Sequence, residues 1–580
     1  MAQLNIEKFF AGKFFKIPSY QRDYAWQLRN VDDLFEDIQE AIESQTNHFL
    51  GTFVLSNKVP DPTHHVVDGQ QRLTTLTMLL HALIGQLSPE EQTLKIVNED
   101  RYIRSENQWR LTLLGTNDAL FRKLLGGEEV APDTMSQKRL VAAYQHIRQR
   151  VRALREQDTR LLSVWLKCIQ GLEVMEFVEG NDGRAIRIFQ TVNDRGVALT
   201  NMEKAKSLLI YYSNRYLAGN LDEFINDRFG QIFRDYDKAK EIGTKRGVQL
   251  VSTKAFDEDD VMRYHFLSYP NEKYDYDAVA DYVLNEFLKA TLKKLRGQTD
   301  ALATFLRSYV TDLASFFASF TALIEKTNTD ERYYKALTWL GLSALLYPLT
   351  IRLQQRGFLD QPVPNKPGIT FLDLLITTEI RIYKFLRKGP KKDISYLARD
   401  AASLTPEQLS ARLGEFVRRF MGDSYFLDEL KGLMYENGAL MYVLLEHDDS
   451  LLRASGRPAR TVADILQLDA ADPSTEHVFS QEPTFDFPNR GFVSAEDYAK
   501  KIQQMGNLTL LEGGINSRCR NKTPEQKVSE DRLYKASAFE TTKALAAAAQ
   551  NRGNTFTATD LSARTEELAT YCVQHWPLWT

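Results

Sequence analysis

The apolar residues of this chain change their spacing close to residue 200, and that change rules out one core of a single type. Before it, short apolar runs alternate with turns. Residues 48–55 (His48 to Leu55) read as a strand, Asp61-Pro62-Thr63 as a turn, and His64-His65-Val66-Val67-Asp68 as a second strand paired with the first. Leu73, Leu76, Leu79 and Leu80 then recur at helical spacing, so a helix is expected to begin close to Gln70. Ser88-Pro89-Glu90-Glu91 supplies an N-cap, a proline at the first helical position and a glutamate at the third, which is a helix start. Residues 174–178 read as another strand and 184–190 as a helix. After the change, residues 200–460 are almost entirely helical in pattern. Apolar spacing over 208–212, 283–295, 304–324, 333–346 and 371–386 alternates with polar loops such as 361–368.

The expected fold class is α+β, mostly helical. An N-terminal mixed α/β domain is expected over 1–215, with a helical insertion at 85–170, then a helical region over 216–456 and a C-terminal domain over 457–580, opening near Arg457-Pro458. A chain of 580 residues is too long for one core. Thr523-Pro524-Glu525-Gln526 opens a helix with a capping box, and Ser537-Ala538-Phe539-Glu540 reads as a second such device. The net charge of −4 argues against a generally basic nucleic-acid coat but leaves room for a local basic channel. Arg381, Lys384, Arg387, Lys388, Lys391, Lys392, Arg412, Arg418 and Arg419 are the central candidates for one.

Cys168, Cys519 and Cys572 are far apart and lack paired spacing, which excludes a cysteine-rich zinc site and fits a reducing compartment. The first residues show no basic segment leading into an apolar one, so no signal peptide is expected. The longest apolar stretch, 336–351, is too short to span a bilayer and is interrupted by Pro348, so it reads as a buried core helix. A cytoplasmic protein without a membrane partner is expected.

Near the C-terminus, Glu476-His477 is followed by Gly506-Asn507-Leu508-Thr509-Leu510-Leu511 and then by Asn516. Cutting a phosphodiester needs a base to deprotonate water and a hard cation to neutralise charge on the phosphate and the leaving oxygen. A neutral imidazole supplies the first, and a carboxylate with an amide oxygen can hold a Mg²⁺-type ion. As an ordered set these residues resemble the ββα-metal (HNH) nuclease motif. The resemblance implies His477 as general base, Glu476 and Asn516 as ligands of Mg²⁺ or Mn²⁺, and Asn507 as the residue that pins the loop. Arg518, Arg520, Lys522 and Lys527 lie beside the motif and are the candidates for gripping DNA.

A second signature lies at the other end. Tyr20-Gln21-Arg22-Asp23-Tyr24 precedes Asp68-Gly69-Gln70-Gln71-Arg72, and Phe189 to Gly196 contains Asn193 and Arg195, running on to Leu199 and Lys206. A strand ending in Asp-Gly as a helix begins gathers unpaired backbone N–H groups into an anion site. Arg72 is expected to add a bidentate phosphate clamp, Asp68 to hold a metal or orient water, and Tyr20, Gln21 and Arg22 to stack on or donate to a nucleotide. Asn193 and Arg195 form the expected opposite wall. These segments resemble the GmrS-type domain, related to the ParB and sulfiredoxin nucleotide-binding fold. Fused to an HNH domain, the chain resembles the GmrSD family of type IV restriction endonucleases, of the BrxU-like or SspE-like kind.

That resemblance implies a nucleotide-regulated nuclease of phage defence acting on modified double-stranded DNA. Its nucleoside triphosphate is GTP, ATP or another NTP, and a homodimer is among its assemblies. Alternatives of other kinds are a phosphorothioate-sensing SspE-like nickase and a nucleotide-gated DNA-binding protein with an inactive HNH site. One position departs from the family pattern: the usual aspartate before the family lysine is Glu203 here, followed by Lys204 and Lys206.

Overall fold

The computed structural model describes residues 2–18, 21–45, 48–57, 62–180, 200–386, 389–483 and 485–579. The chain divides into two compact units, one of Met1–Lys238 with Val279–Phe317, the other of Ala239–Ala278 with Ala318–Thr580. The stretch 216–456, expected as a region of its own, is shared between them.

The first unit is built on a six-stranded mixed sheet. Its strands are β1 (Ala2–Asn5), β2 (Phe14–Lys16), β3 (Phe49–Ser56), β4 (Thr63–Asp68), β5 (Leu111–Thr112) and β6 (Glu173–Glu179), in the order β1-β6-β3-β4-β2-β5. β3 and β4 pair antiparallel as the sequence suggested, while β6 lies parallel to β3. The expected insertion holds four helices, Gln92–Tyr102, Thr116–Leu125, Met135–Gln157 and Arg160–Gly171, and also contributes β5, an edge strand the sequence did not announce. Phe9, Phe15 and Phe53 are fully buried, with the Phe9 ring 5.0 Å from Phe15 and 4.7 Å from Phe53. Each such ring contributes roughly 1.5–3 kcal/mol by leaving water.

Helix α1 (Gln70–Gly85) begins where expected, directly behind β4. Its cap, Gly69, has φ +93°, and a Cβ there would lie 2.4 Å from the Phe53 ring, so only glycine fits. Helix α2 (Asn201–Tyr216) opens with a capping box between Thr200 and Glu203. The helix expected over 184–190 lies outside the described residues.

The second unit is mostly helical; towards its C-terminal end it contains the strand pair β7 (Pro473–His477) and β8 (Leu508–Glu512), which run antiparallel with His477 opposite Leu508. Behind β8 follow helices α3 (Gly513–Cys519) and α4 (Pro524–Ser529), and the last helix is α5 (Ala558–His575). Val478, Phe479, Leu511, Tyr534 and Leu561 are buried in the core of this region. A sealed charge cluster ties it to the central helices: Lys335 pairs with Glu446 (2.6 Å) and Asp449 (2.9 Å), and Asp448 accepts from the Thr541 N–H (2.6 Å).

Three expectations of local structure are corrected. The 336–351 stretch is not one helix: Ala336–Leu340 ends at Gly341, at φ +67°, and a new helix starts at Tyr347 with Pro348 in its first turn. A Cβ at Gly341 would lie 1.9 Å from the Gln249 side chain, so the break is built into the packing. The 361–368 loop contains a small strand ladder, Pro362–Val363 against Lys366–Thr370. No capping box forms at Ser537: Phe539 is the cap, and Glu540 pairs instead with Arg457 (2.7 Å) and Lys543 (3.0 Å). Among the described residues no helix is long and apolar enough to cross a membrane.

Several residues of the central basic row are engaged within the protein, while Lys392 and Arg418 are exposed. Arg381 is buried, bound to Asp423 (2.7 Å), and Lys384 donates to the Gly341 carbonyl (3.0 Å). Arg412 pairs with Asp400 (2.9 Å), Arg419 with Asp393 (2.6 Å) and Lys391 with Asp277. Arg387 and Lys388 lie outside the described residues.

Candidate functional site

β7 delivers His477 as its last residue, and β8 delivers Asn507 immediately before its first. Asn507 is fully buried and acts as a substitute peptide. Its Oδ1 accepts from the Phe479 N–H (2.8 Å), its Nδ2 donates to the carbonyls of Phe479 (3.0 Å) and Ile502 (2.9 Å), and its own carbonyl accepts from Val478 (2.8 Å). The Asn507 side chain therefore ties the segment leaving the strand at His477 to the start of β8. Gly506 makes the turn possible, since a Cβ there would lie 2.0 Å from the Leu561 carbonyl of α5. Arg564, also on α5, donates to the carbonyls of Gly506 (2.9 Å) and Leu508 (2.8 Å).

His477, Glu476 and Asn516 line one open polar cavity of about 470 Å³, together with Asp472, Ser474, Gln481 and Arg520. His477 is mostly buried, with the Tyr435 ring 4.3 Å from its own and Gln481 Nε2 3.5 Å from its Nε2. Burial pulls its pKa down to about 4, a hydrogen bond with Gln503 opposes this, and the Lys527 charge adds to the lowering. The imidazole is consequently neutral near pH 7. Asn516 donates its Nδ2 to Ser474 Oγ (2.8 Å) and more weakly to the Thr475 carbonyl (3.4 Å), and no hydrogen bond engages its Oδ1 among the described residues. Glu476 is buried, and its Oε1 receives both Lys527 (2.7 Å) and the Tyr534 hydroxyl (3.2 Å). Burial raises its pKa and Lys527 works against that.

The groups here that could hold a hard cation keeping most of its waters are the Asn516 amide oxygen and the Glu476 carboxylate, whose Oε1 is already shared by Lys527 and Tyr534. No group of three or more His, Cys, Asp or Glu side chains able to hold a metal occurs among the described residues.

Of the four expected DNA contacts, Arg518 and Arg520 are exposed on and just after α3. Lys522 is tied to Glu530 (2.7 Å). Lys527 is corrected: it has no exposed surface, and its ammonium donates to the His477 carbonyl (2.6 Å) and to Glu476. Tyr435, Tyr534 and Arg564 were missed because they approach the motif from distant segments, and Gln481 and Gln503, though near it in sequence, carry no spacing signal.

The N-terminal motif residues hold one another. Gln70 Nε2 donates to the Arg22 carbonyl (2.8 Å), while Gln71 accepts from the Ala25 N–H (2.9 Å) and donates to the Asp23 carbonyl (3.1 Å). Gln21 reaches back to the Val67 carbonyl (2.5 Å), and Arg22 pairs with Glu203 (3.2 Å). The expected phosphate clamp is corrected: both Arg72 terminal nitrogens donate to β3 carbonyls, Leu50 (2.9 Å) and Thr52 (2.9 Å), and the guanidinium stacks on Phe53. It fills the space beside Gly51, at φ +118°, where a Cβ would lie 1.7 Å from Arg72 Nη1. Asp68 Oδ1 accepts from the Gly69 N–H (2.7 Å), and its burial raises its pKa. The first turn of α1 has no side-chain cap. Lys206 is buried with no hydrogen-bond partner among the described residues, and burial takes its pKa down to about 7. Tyr20, Asn193 and Arg195 lie outside the described residues.

Family models match both ends of the chain. Residues 6–210 match the GmrSD restriction endonuclease N-terminal domain, and residues 421–571 the GmrSD restriction endonucleases C-terminal domain. No curated protein matched the chain. The two matches define a DNA endonuclease of phage defence. The chain belongs to the GmrSD family of type IV restriction endonucleases.

Proposed function

We propose that the chain cuts modified foreign duplex DNA by cation-dependent hydrolysis at the Glu476–His477 cavity, in a domain of ββα-metal (HNH) type. The observation that carries this reading is the convergence of a neutral imidazole, a carboxylate and an unengaged amide oxygen on one polar cavity. His477 takes a proton from the attacking water. An anionic phosphodiester drawn into the cavity raises its low pKa toward the range in which a base is effective. Asn507 keeps the segment beyond His477 from shifting as the proton arrives. Glu476 and Asn516 would hold Mg²⁺ or Mn²⁺, which when bound neutralises charge on the phosphate and the leaving oxygen. Arg518 and Arg520, exposed beside the cavity, grip the backbone of the cut strand.

The N-terminal domain is proposed, on the ParB/sulfiredoxin resemblance, to bind a nucleoside triphosphate and control cutting. Its support here is the uncapped first turn of α1 behind Asp68-Gly69, which offers backbone N–H groups to a phosphate without Arg72. The test is cleavage of plasmids carrying modified cytosines, a phosphorothioate backbone or neither, with and without Mg²⁺ and each triphosphate. Preferential cutting of the modified-base plasmid supports the reading. Equal cutting of all three contradicts the substrate assignment, and cutting of the unmodified plasmid only when phosphorothioate DNA is also present moves it to the SspE-like alternative.

A further inference from the structure

Lys527 is buried against the very peptide that carries the candidate base and cation ligand. A buried ammonium and carboxylate are each expensive to remove from water, and apolar residues of similar size are often as stable in their place. The pair therefore calls for a reason beyond stability. Lys527 sits on α4, whose start is fixed by the capping box between Thr523 and Gln526. Its ammonium meets two acceptors, the His477 carbonyl at 2.6 Å and Glu476 Oε1 at 2.7 Å, and Tyr534 adds a hydroxyl to the same carboxylate oxygen at 3.2 Å. Among the described residues β7 pairs only with β8, so one of its edges has no strand partner there. Asn507 holds residues 478 and 479 from the β8 side.

We propose that Lys527 is a positioning residue of the cleavage site. It closes the free edge of β7 at His477 and, with Tyr534, fixes the Glu476 carboxylate, so that the segment is clamped by Lys527 at 477 and by Asn507 just beyond. This rests on the reading of the cavity as the nuclease centre.

The test compares wild type with Lys527→Met, Tyr534→Phe and His477→Ala. The measurements are Mn²⁺ binding to the DNA-free protein by electron paramagnetic resonance, kcat and KM for plasmid DNA, and thermal unfolding. Lys527→Met should weaken Mn²⁺ binding about tenfold and lower kcat about 10- to 100-fold, with KM changed less than about threefold. Tyr534→Phe should move both quantities in the same direction by about two- to threefold. Wild-type Mn²⁺ affinity and kcat in Lys527→Met would overturn the proposal, and so would tighter Mn²⁺ binding, which would make Lys527 a competitor of the cation. Where Lys527→Met does not fold, Tyr534→Phe decides, and unchanged values in it overturn the clamp. Full cleavage by His477→Ala would instead overturn the reading of the cavity, and the clamp with it.

Discussion

Arg72 shows what a motif residue can do other than touch a ligand. Its guanidinium satisfies the Leu50 and Thr52 carbonyls around the kink at Gly51, a position with no room for a side chain. Charged hydrogen bonds of this kind contribute about 1.5–3 kcal/mol each. Arg72→Ala should therefore destabilise the first unit by about 3–6 kcal/mol, seen as a lower unfolding midpoint in urea. A variant that loses triphosphate binding at unchanged stability would return Arg72 to the phosphate. The spacing of Asp68-Gly69-Gln70-Gln71-Arg72 marked a special helix start, and that was readable. What its side chains touch was not, because their partners are mostly backbone carbonyls and N–H groups, which leave no trace in the sequence. Lys527 was misplaced for the same reason: a lysine beside a nuclease motif reads as a phosphate contact until its acceptors are seen.

At the scale of elements, signals of local chemistry translated well. The strand pair ending at Asp68, the helix from Gln70 and the capping boxes at Ser88 and Thr523 all occupy their expected places. The failures lie where packing from a distant segment decides. Gln249 fills the space beside Gly341 and divides an apolar run that reads as continuous, and Leu111–Thr112 joins the main sheet from within a helical stretch. The Gly506 turn depends in the same way on α5, which presses a carbonyl against it. Gly506→Ala should shift α5 or the turn, lower the unfolding temperature by several degrees, and abolish cleavage although no candidate catalytic side chain is altered. Cleavage at the wild-type rate would show that the turn does not position Asn507 and His477.

Across the whole molecule, buried ionisable groups give the chain an acid response of mixed sign. His81, hydrogen-bonded to Tyr144 at 2.7 Å, is held by burial at a pKa of about 4 in the first unit. An unfolded histidine takes its proton near pH 6.5, so the stability from a neutral buried His81 is complete above that and is lost as pH falls toward 4, up to about 3 kcal/mol. Glu379 in the second unit is raised by burial to about 7, and Lys384 and the Ser343 N–H oppose this. Between pH 7 and its unfolded value near 4.5 the folded state holds the extra proton, so this group favours folding as pH falls. The stability advantage of wild type over His81→Gln should shrink from pH 7 to 4.5, and that over Glu379→Gln should grow. Thermal unfolding of the three proteins over that range checks both signs, and parallel curves would contradict them.

The central claim is that a base and a cation site at the Glu476–His477 cavity make the DNA cut. Its most direct measurement is cleavage of a modified plasmid by wild type and His477→Ala in Mg²⁺, with an EDTA arm. His477→Ala should cut about two to four orders of magnitude more slowly while remaining folded, and EDTA should abolish wild-type cutting. Undiminished cutting by His477→Ala, or by wild type in EDTA, would contradict the account.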